Sequence, residues 1–191
     1  MKLHYFNVKA RAEATRATLH LAKVPFEDIR FEKADWPALK GKFPLGQVPV
    51  LELEDGTLLP QSHAILKYVG RLYNFYPKDA MEAYIVDSTL DSLKDLMEKV
   101  VKNFFNTDEE SKKKVTDEIL TVDFPRFAKF LNDRIEKNGK KHFIAGDSLS
   151  VADIDVALVS FDWFNEKNPH HEALKAIVDA NPALKHFCEH H

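Results

Sequence analysis

The stretch Gly46-Gln-Val-Pro-Val-Leu-Glu-Leu-Glu-Asp-Gly-Thr-Leu-Leu-Pro-Gln-Ser-His-Ala-Ile65 decides the fold of the first part of the chain. Val48 to Leu53 carries Val48, Val50, Leu51 and Leu53 and reads as a strand. Glu54-Asp55-Gly56 is a hairpin turn, because Asp-Gly tolerates positive φ, and Thr57 to Leu59 is the returning strand. Ser62 can cap a helix that runs to about Tyr73 and buries a stripe of Ala64, Ile65, Tyr68, Val69 and Leu72. Towards the N-terminus, Phe26 to Glu32 roughly alternates, as a strand does. Pro25 closes the unit before it, a helix over Arg11 to Lys23 with Ala14, Ala17 and Leu21 on one face and Thr18 beside them. Lys2 to Phe6 is a short strand. The order is β-α-β, then β-β-α, within the first 80 residues.

Beyond that unit the punctuation changes. Residues 1–77 hold four of the six glycines and six of the nine prolines, whereas residues 71–138 have no glycine at all. Closely spaced turn-formers give way to long helices. Charge shifts at the same place: residues 1–77 carry 11 basic and 8 acidic groups, net +3, and residues 78–191 carry 16 and 22, net −6. These changes predict a first domain over 1–75, a linker over 76–80 and an all-helical domain over 81–191. Met81 to about Asn103 shows a stripe of Ile85, Thr89, Leu93, Leu96 and Val100. Glu109 to Lys137 reads as a second long helix bent at Pro125, which removes an N–H, and Asn138-Gly139 ends it. Ser150-Val-Ala-Asp153 is a variant capping box before a very apolar helix from Val151 to Phe164, and short helices follow near His171–Asp179 and Ala183–Glu189.

Composition excludes several classes of function. Of the 191 residues 45% are apolar and 30% charged, with a net charge of −3, and a nucleic-acid binder would show a basic excess or stripe. Lys112-Lys113-Lys114 follows Asp108-Glu109-Glu110 and reads as a solvated, ion-paired helix start. The longest apolar run has four residues, as in Val156 to Val159, against the about 18 a membrane helix needs. No charged-then-apolar signal segment opens the sequence. Cys188 is the single cysteine, so an internal disulfide framework and any CxxC redox or zinc motif are excluded, and a reducing, cytoplasmic setting is expected.

Particular residues then narrow the reading. Tyr5-Phe6-Asn7, Arg11-Ala-Glu13, Ala34-Asp-Trp-Pro37 with Lys40, Gly46-Gln-Val-Pro-Val-Leu51, Gln61-Ser62-His-Ala-Ile65 and Leu149-Ser-Val-Ala-Asp153 occur in order and at spacings that resemble the sigma-class cytosolic glutathione transferases. That class also contains haematopoietic-type prostaglandin D synthases and lens S-crystallins. The resemblance covers the whole chain and is strongest over residues 3–69. It implies an α/β thioredoxin-like N-terminal domain that binds glutathione, an all-α C-terminal domain that contributes an electrophile site, and a homodimer. The sequence ends early for that class, which leaves open whether a C-terminal segment covering the pocket follows.

The chemistry such a protein must perform is to make a good nucleophile from a thiol whose pKa is about 8.5. A hydroxyl that donates a hydrogen bond to sulfur favours the charged form. Lowering the pKa by about two units requires roughly 2.7 kcal/mol of preferential thiolate stabilisation, within reach of a charge-assisted hydrogen bond in a partly dry site. The resemblance gives Tyr5, at the end of the first strand, this role, with Arg11 tuning it. By pattern alone Tyr5 reads more readily as a ring packed in the core, and the plain reading of Arg11 is a solvated side chain beside Glu13, a place the helix dipole disfavours.

The resemblance also supplies a cradle. A cis Val48–Pro49 bond, following Gln47, would turn the Val48 backbone N–H and C=O outward to pair with the cysteinyl part of glutathione like a strand. Gln61 and Ser62, at a helix start, would hold the γ-glutamyl carboxylate, although Ser62 can serve as a cap alone. Trp36 and Lys40, donors without acceptor capacity, would reach the glycyl carboxylate, although an indole can also plug the loop and a lysine near Lys42 can be plain surface charge. Asp95 of the partner subunit would meet the ligand's α-amino group. At the positions where the prostaglandin D synthases carry an acidic cluster for a divalent cation, this chain has Asp91, Lys94 and Asp95, and a lysine there removes a ligand and adds positive charge. No metal is expected. His170-His171 and His190-His191 are adjacent pairs, which do not share a helix face.

Val8, Lys102, Phe105 and Asp155 are the candidates for the electrophile site. Lys102 and Asp155 stand where several relatives carry aromatic residues, which makes the acceptor pocket more polar. Three functions remain open: conjugation of glutathione to small hydrophobic electrophiles, isomerase or peroxidase chemistry with the same thiolate, and a non-catalytic crystallin-like or ligand-carrying protein. A thioredoxin or glutaredoxin would need a cysteine where Tyr5 stands.

Overall fold

The computed structural model describes residues 1–140 and 142–191. The chain divides into two compact units, Met1–Tyr76 and Pro77–His191.

The first unit is a four-stranded mixed sheet in the order β2-β1-β3-β4, built from β1 (Lys2–Phe6), β2 (Glu27–Phe31), β3 (Val50–Glu52) and β4 (Leu58–Pro60). β1 runs parallel to β2, with Tyr5 opposite Arg30, and antiparallel to β3, with Leu3 opposite Leu51. A parallel pair needs a crossover, and α1 (Glu13–Leu21), entered through a 3₁₀ turn at Ala10–Ala12, supplies it. β3 and β4 are joined by the expected hairpin: Leu53 N–H donates to Thr57 O at 2.9 Å, and Gly56 takes φ +84°. Two further helices, α2 (Trp36–Leu39) and α3 (Ser62–Leu72), complete the unit. Alternation along β1 sends Leu3 and Tyr5 into a core with Ala12, Leu19, Leu51, Ile65 and Val69. Elsewhere in the unit Phe6, Phe31, Trp36 and Phe43 form an aromatic group, with the Trp36 ring stacked at 5.8 Å on Phe31 and 6.0 Å on Phe43.

Two helix faces differ from those the sequence predicts. In α1 the buried residues are Ala14 and Thr18, as predicted, together with Thr15, Arg16 and Leu19, while Ala17 is half-buried and Leu21 is 52% exposed. Small alanines and threonines leave the direction of the stripe open, and Arg16 enters the interior because Asp28 on β2 meets it at 3.0 Å. In α3 the buried residues are Ile65, Leu66, Val69 and Gly70, while Ala64 and Leu72 face outward.

The second unit is helical. α4 (Ala80–Phe104) starts at an Asp79 cap, whose carboxylate accepts from the Met81 and Glu82 N–H groups at 2.9 and 3.0 Å. It buries Val86, Thr89, Leu90, Leu93, Leu96 and Asn103, while Ile85 and Val100 lie at the edge of that stripe. The helix expected from Glu109 to Lys137 is two helices, α5 (Glu109–Glu118) and α6 (Phe124–Asn138), joined by a π turn at Ile119–Asp123. The change of winding falls in the turn before Pro125, where the missing N–H removes a regular bond and a wider turn replaces it. Lys99 holds this turn through Asp123 and, at 2.8 Å, Glu118. Gly139 ends α6 at φ +67°.

α7 (Val151–Trp163) is deeply buried, and the capping box at its start is formed as the sequence predicts. Asp153, itself fully buried, accepts from Ser150 N–H at 2.7 Å, Ser150 Oγ at 2.6 Å and Ile144 N–H at 2.7 Å. α8 (His171–Asp179) and α9 (Pro182–His190) follow. Among the described residues no helix is long and apolar enough to cross a membrane.

Candidate functional site

Tyr5 reaches the end of β1 with its ring in the core, 6% exposed. Burial pushes its phenol above the ordinary value, against the opposing pull of the Arg11 backbone N–H and of the Arg11 and Arg16 cations. The phenol therefore remains protonated at neutral pH. A protonated phenol has its own proton to donate, which is what a thiolate requires. The ring is both core packing and polar handle, so the two readings of Tyr5 hold together.

Arg16 is the residue near Tyr5 that sequence reasoning missed. Its guanidinium lies 5.8 Å from the Tyr5 ring centroid. It is 3% exposed, and its Nη1 donates to Val8 O at 2.9 Å, Lys9 O at 3.3 Å and Glu13 at 3.0 Å while Nε donates to Asp28 at 3.0 Å. One buried side chain thus fixes the loop between Tyr5 and α1. The available signal was its place one turn after Ala12 and one before Leu19, on the true inner face.

A cleft in the same unit collects most of the predicted cradle. Arg11, Gln47, Val48, Pro49, Gln61 and Ser62 line it, with Leu45 and Pro60. The Val48–Pro49 peptide is cis. Ser62 is the first residue of α3 and not its cap; Gln61 occupies the cap position, with φ +77° and no side-chain bond to the helix end. The first helical bond of α3 runs from Ile65 N–H to Gln61 O, at 2.9 Å. The N–H groups ahead of it have no partner within the helix, and with the helix dipole they suit a carboxylate. A non-glycine residue at positive φ costs of order 1–3 kcal/mol, and such positions cluster at functional sites.

Lys40 and Trp36 do not belong to the lining of this cleft. Gly46 takes φ +56°, and the Lys40 stem lies where a Cβ would be, with Lys40 Cε 3.1 Å from it. The glycine thus gives both the turn and the bed across which Lys40 extends. Trp36 is half-buried in the aromatic group, the plugging arrangement that its residue type also allows.

In the second unit, Asp95 lines a cleft with Ser92, Leu96, Lys99, Asp123, Arg126, Phe127 and Phe130. Asp91, Lys94 and Asp95 are all exposed, and Lys94 lies 3.9 Å from Glu98. Lys102 and Phe105 stand at the C-terminal end of α4, with Phe105 65% exposed, and Asp155 lies half-buried in α7. Val8, in the first unit, is 46% exposed. Neither cleft takes its lining from Val8, Lys102, Phe105 or Asp155. Burial pushes the Cys188 thiol up to about 11, so the chain's own sulfur stays protonated at neutral pH.

Comparison with known proteins places this geometry in context. Residues 1–71 match the family model for the glutathione S-transferase N-terminal domain, and residues 94–191 that for the glutathione S-transferase C-terminal domain. The chain is 33% identical to glutathione S-transferase 1 of Ascaris suum, over 99% of this chain and 89% of that protein. It is also 33% identical to the hematopoietic prostaglandin D synthase of Gallus gallus, over 96% of this chain and 92% of that one. The crystal structure of the glutathione S-transferase from Ascaris lumbricoides superposes with a TM-score of 0.76 at 33% identity, covering 98% of this chain and 94% of that one.

Proposed function

Because the chain belongs to the glutathione S-transferase family, in its sigma-like class, it is a glutathione transferase, and we propose that Tyr5 is the group that activates the thiol. The observation that carries this is the buried Tyr5 ring at the end of β1, 5.8 Å from the Arg16 guanidinium and in the field of Arg11. The Tyr5 O–H donates to the sulfur of glutathione and stabilises the thiolate; the thiol proton leaves to solvent. The thiolate then forms the C–S bond to an electrophilic carbon, and the leaving group departs with its bonding pair. Arg11 adds positive charge to the same field.

Val48 and Pro49, with Gln47, present the strand edge for the cysteinyl part. Gln61 and Ser62 take the γ-glutamyl carboxylate, and Lys40 and Trp36 the glycyl carboxylate. Asp95 of the partner subunit receives the α-amino group in a homodimer. The shared cleft of Arg11, Gln47, Val48, Pro49, Gln61 and Ser62 supports this assignment. Val8, Lys102, Phe105 and Asp155 set the preference for the electrophile, a small hydrophobic molecule. The setting is reducing and cytoplasmic, as a single protonated cysteine suits.

The test is conjugation of glutathione to a halogenated nitroarene. Tyr5→Phe removes the donor, so kcat/KM at neutral pH falls by about ten- to a hundredfold and the apparent pKa of its pH profile rises by about two units. Unchanged activity or an unshifted profile in Tyr5→Phe refutes the role. The prostaglandin D synthase relative makes an isomerase the second reading. Endoperoxide turnover well above the conjugation rate would favour it.

A further inference from the structure

Among the described residues, one group of potential metal ligands comes together: His142, His186 and His190, each offering a ring nitrogen within 4.8 Å of the other two. His186 and His190 are four apart on α9, so successive turns place them on one face, with ring centroids 4.0 Å apart. His142 comes from the segment between α6 and α7, and its ring centroid lies 5.1 Å from that of His186 and 4.7 Å from that of His190. The Nδ1 of His190 lies 2.7 Å from the carbonyl oxygen of His186. A carbonyl only accepts, so Nδ1 carries the proton and Nε2 keeps its lone pair. A backbone carbonyl orients metal-binding histidines in the same way. His142 and His190 are exposed and His186 half-buried, so an ion can reach them from solvent.

We propose that His142, His186 and His190 form a three-imidazole site for a divalent transition-metal ion of the zinc type, which ties the segment before α7 to the C-terminal helix. Three neutral imidazoles without a carboxylate suit zinc and its neighbours and not magnesium or calcium, which take oxygen ligands. At Zn–N distances of about 2.0–2.1 Å a tetrahedral centre holds its nitrogens roughly 3.3 Å apart. Rotation of exposed rings closes a 4.8 Å group to that size. The fourth position is left to water. The site uses no residue of the glutathione cradle and does not depend on the role proposed for Tyr5.

The experiment titrates zinc into the full chain, stripped of metal by a chelator, and follows it by calorimetry and by thermal melting. One zinc binds per chain and raises the melting temperature. His142→Ala and His190→Ala, both at exposed positions, each weaken binding by roughly tenfold or more while melting without metal as the parent does. The double variant His170→Ala/His171→Ala binds zinc like the parent. Cobalt in place of zinc gives the visible absorption of a tetrahedral nitrogen-ligated centre in the parent and loses it in His190→Ala. Absence of stoichiometric binding, parental affinity in His142→Ala and His190→Ala, or loss of binding in the His170→Ala/His171→Ala variant overturns the proposal.

Discussion

Arg16 carries a cost and a consequence that no neighbour in sequence reveals. A guanidinium this deeply buried is tolerated because two backbone carbonyls and two carboxylates surround it, and one of its nitrogens, Nη2, still lacks a partner. Arg16→Met keeps the aliphatic stem and removes the donors to the Val8 and Lys9 carbonyls and to Glu13, and leaves Asp28 with Arg30 alone. Loss of one partner from a fully buried ion pair costs about 3–5 kcal/mol. The Asp28 side chain is 26% exposed, so we expect a loss of about 2–3 kcal/mol in denaturant unfolding at constant m. Arg16→Lys recovers little, since one ammonium cannot span the fork. A loss below about 0.5 kcal/mol in Arg16→Met would show that the loop is held by other contacts. Tyr5-Phe6-Asn7 and Arg11 pointed to the role proposed for Tyr5, but nothing local pointed to this support, because its partner Asp28 is 12 residues away on β2.

At the scale of elements, what the sequence disclosed depended on how local the determining interaction is. The Asp55-Gly56 turn and the Ser150–Asp153 box are satisfied within four residues, and both form as read. Gln47, Val48, Gln61 and Ser62 meet in one cleft because a single hairpin folds the chain back on itself between them. Helix faces are set instead by what lies opposite, so the stripes of α1 and α3 came out rotated. His190 and His191 are neighbours in sequence, whereas the ring nearest His190 is that of His186, one turn back.

The β1–β3 pairing offers a test of such cross-strand contacts. Glu52 stands opposite Lys2 and accepts from His4 at 2.8 Å and from Lys2 at 3.2 Å. The His4 bond, then the Lys2 bond, holds its carboxyl below the ordinary 4.5. A lowered folded value means the unfolded chain binds the proton more readily. The contribution is present above pH 4.5 and is lost as pH falls from there through the folded value. The melting temperature of the parent should thus drop more steeply than that of Glu52→Gln between about pH 5 and pH 3. Parallel curves for the two proteins would count against the pairing.

The whole chain carries two units of opposite formal charge, net +3 over residues 1–77 and −6 over 78–191. Tyr5 and most of the residues proposed to cradle glutathione lie in the first, while Asp95 lies in the second. The proposed assembly makes Asp95 serve the glutathione of the other subunit, and this can be decided without a ligand-bound structure. Tyr5→Phe and Asp95→Ala are each purified with low activity, mixed in equal amounts, and allowed to exchange subunits. In a mixed dimer the Asp95→Ala subunit keeps Tyr5 and receives an intact Asp95 from its partner, so one of its two sites is whole. The other site carries both defects. Random exchange makes half of the dimers mixed, so the mixture should reach roughly a quarter of the activity of the unsubstituted protein, above the mean of the two variants alone. If Asp95 served its own subunit, every site in every dimer would carry one defect and mixing would restore no activity. The same null result follows from a monomer, and sedimentation of the parent protein separates the two. The gain on mixing therefore reports dimerisation and the shared site together, at a level that neither variant reaches alone.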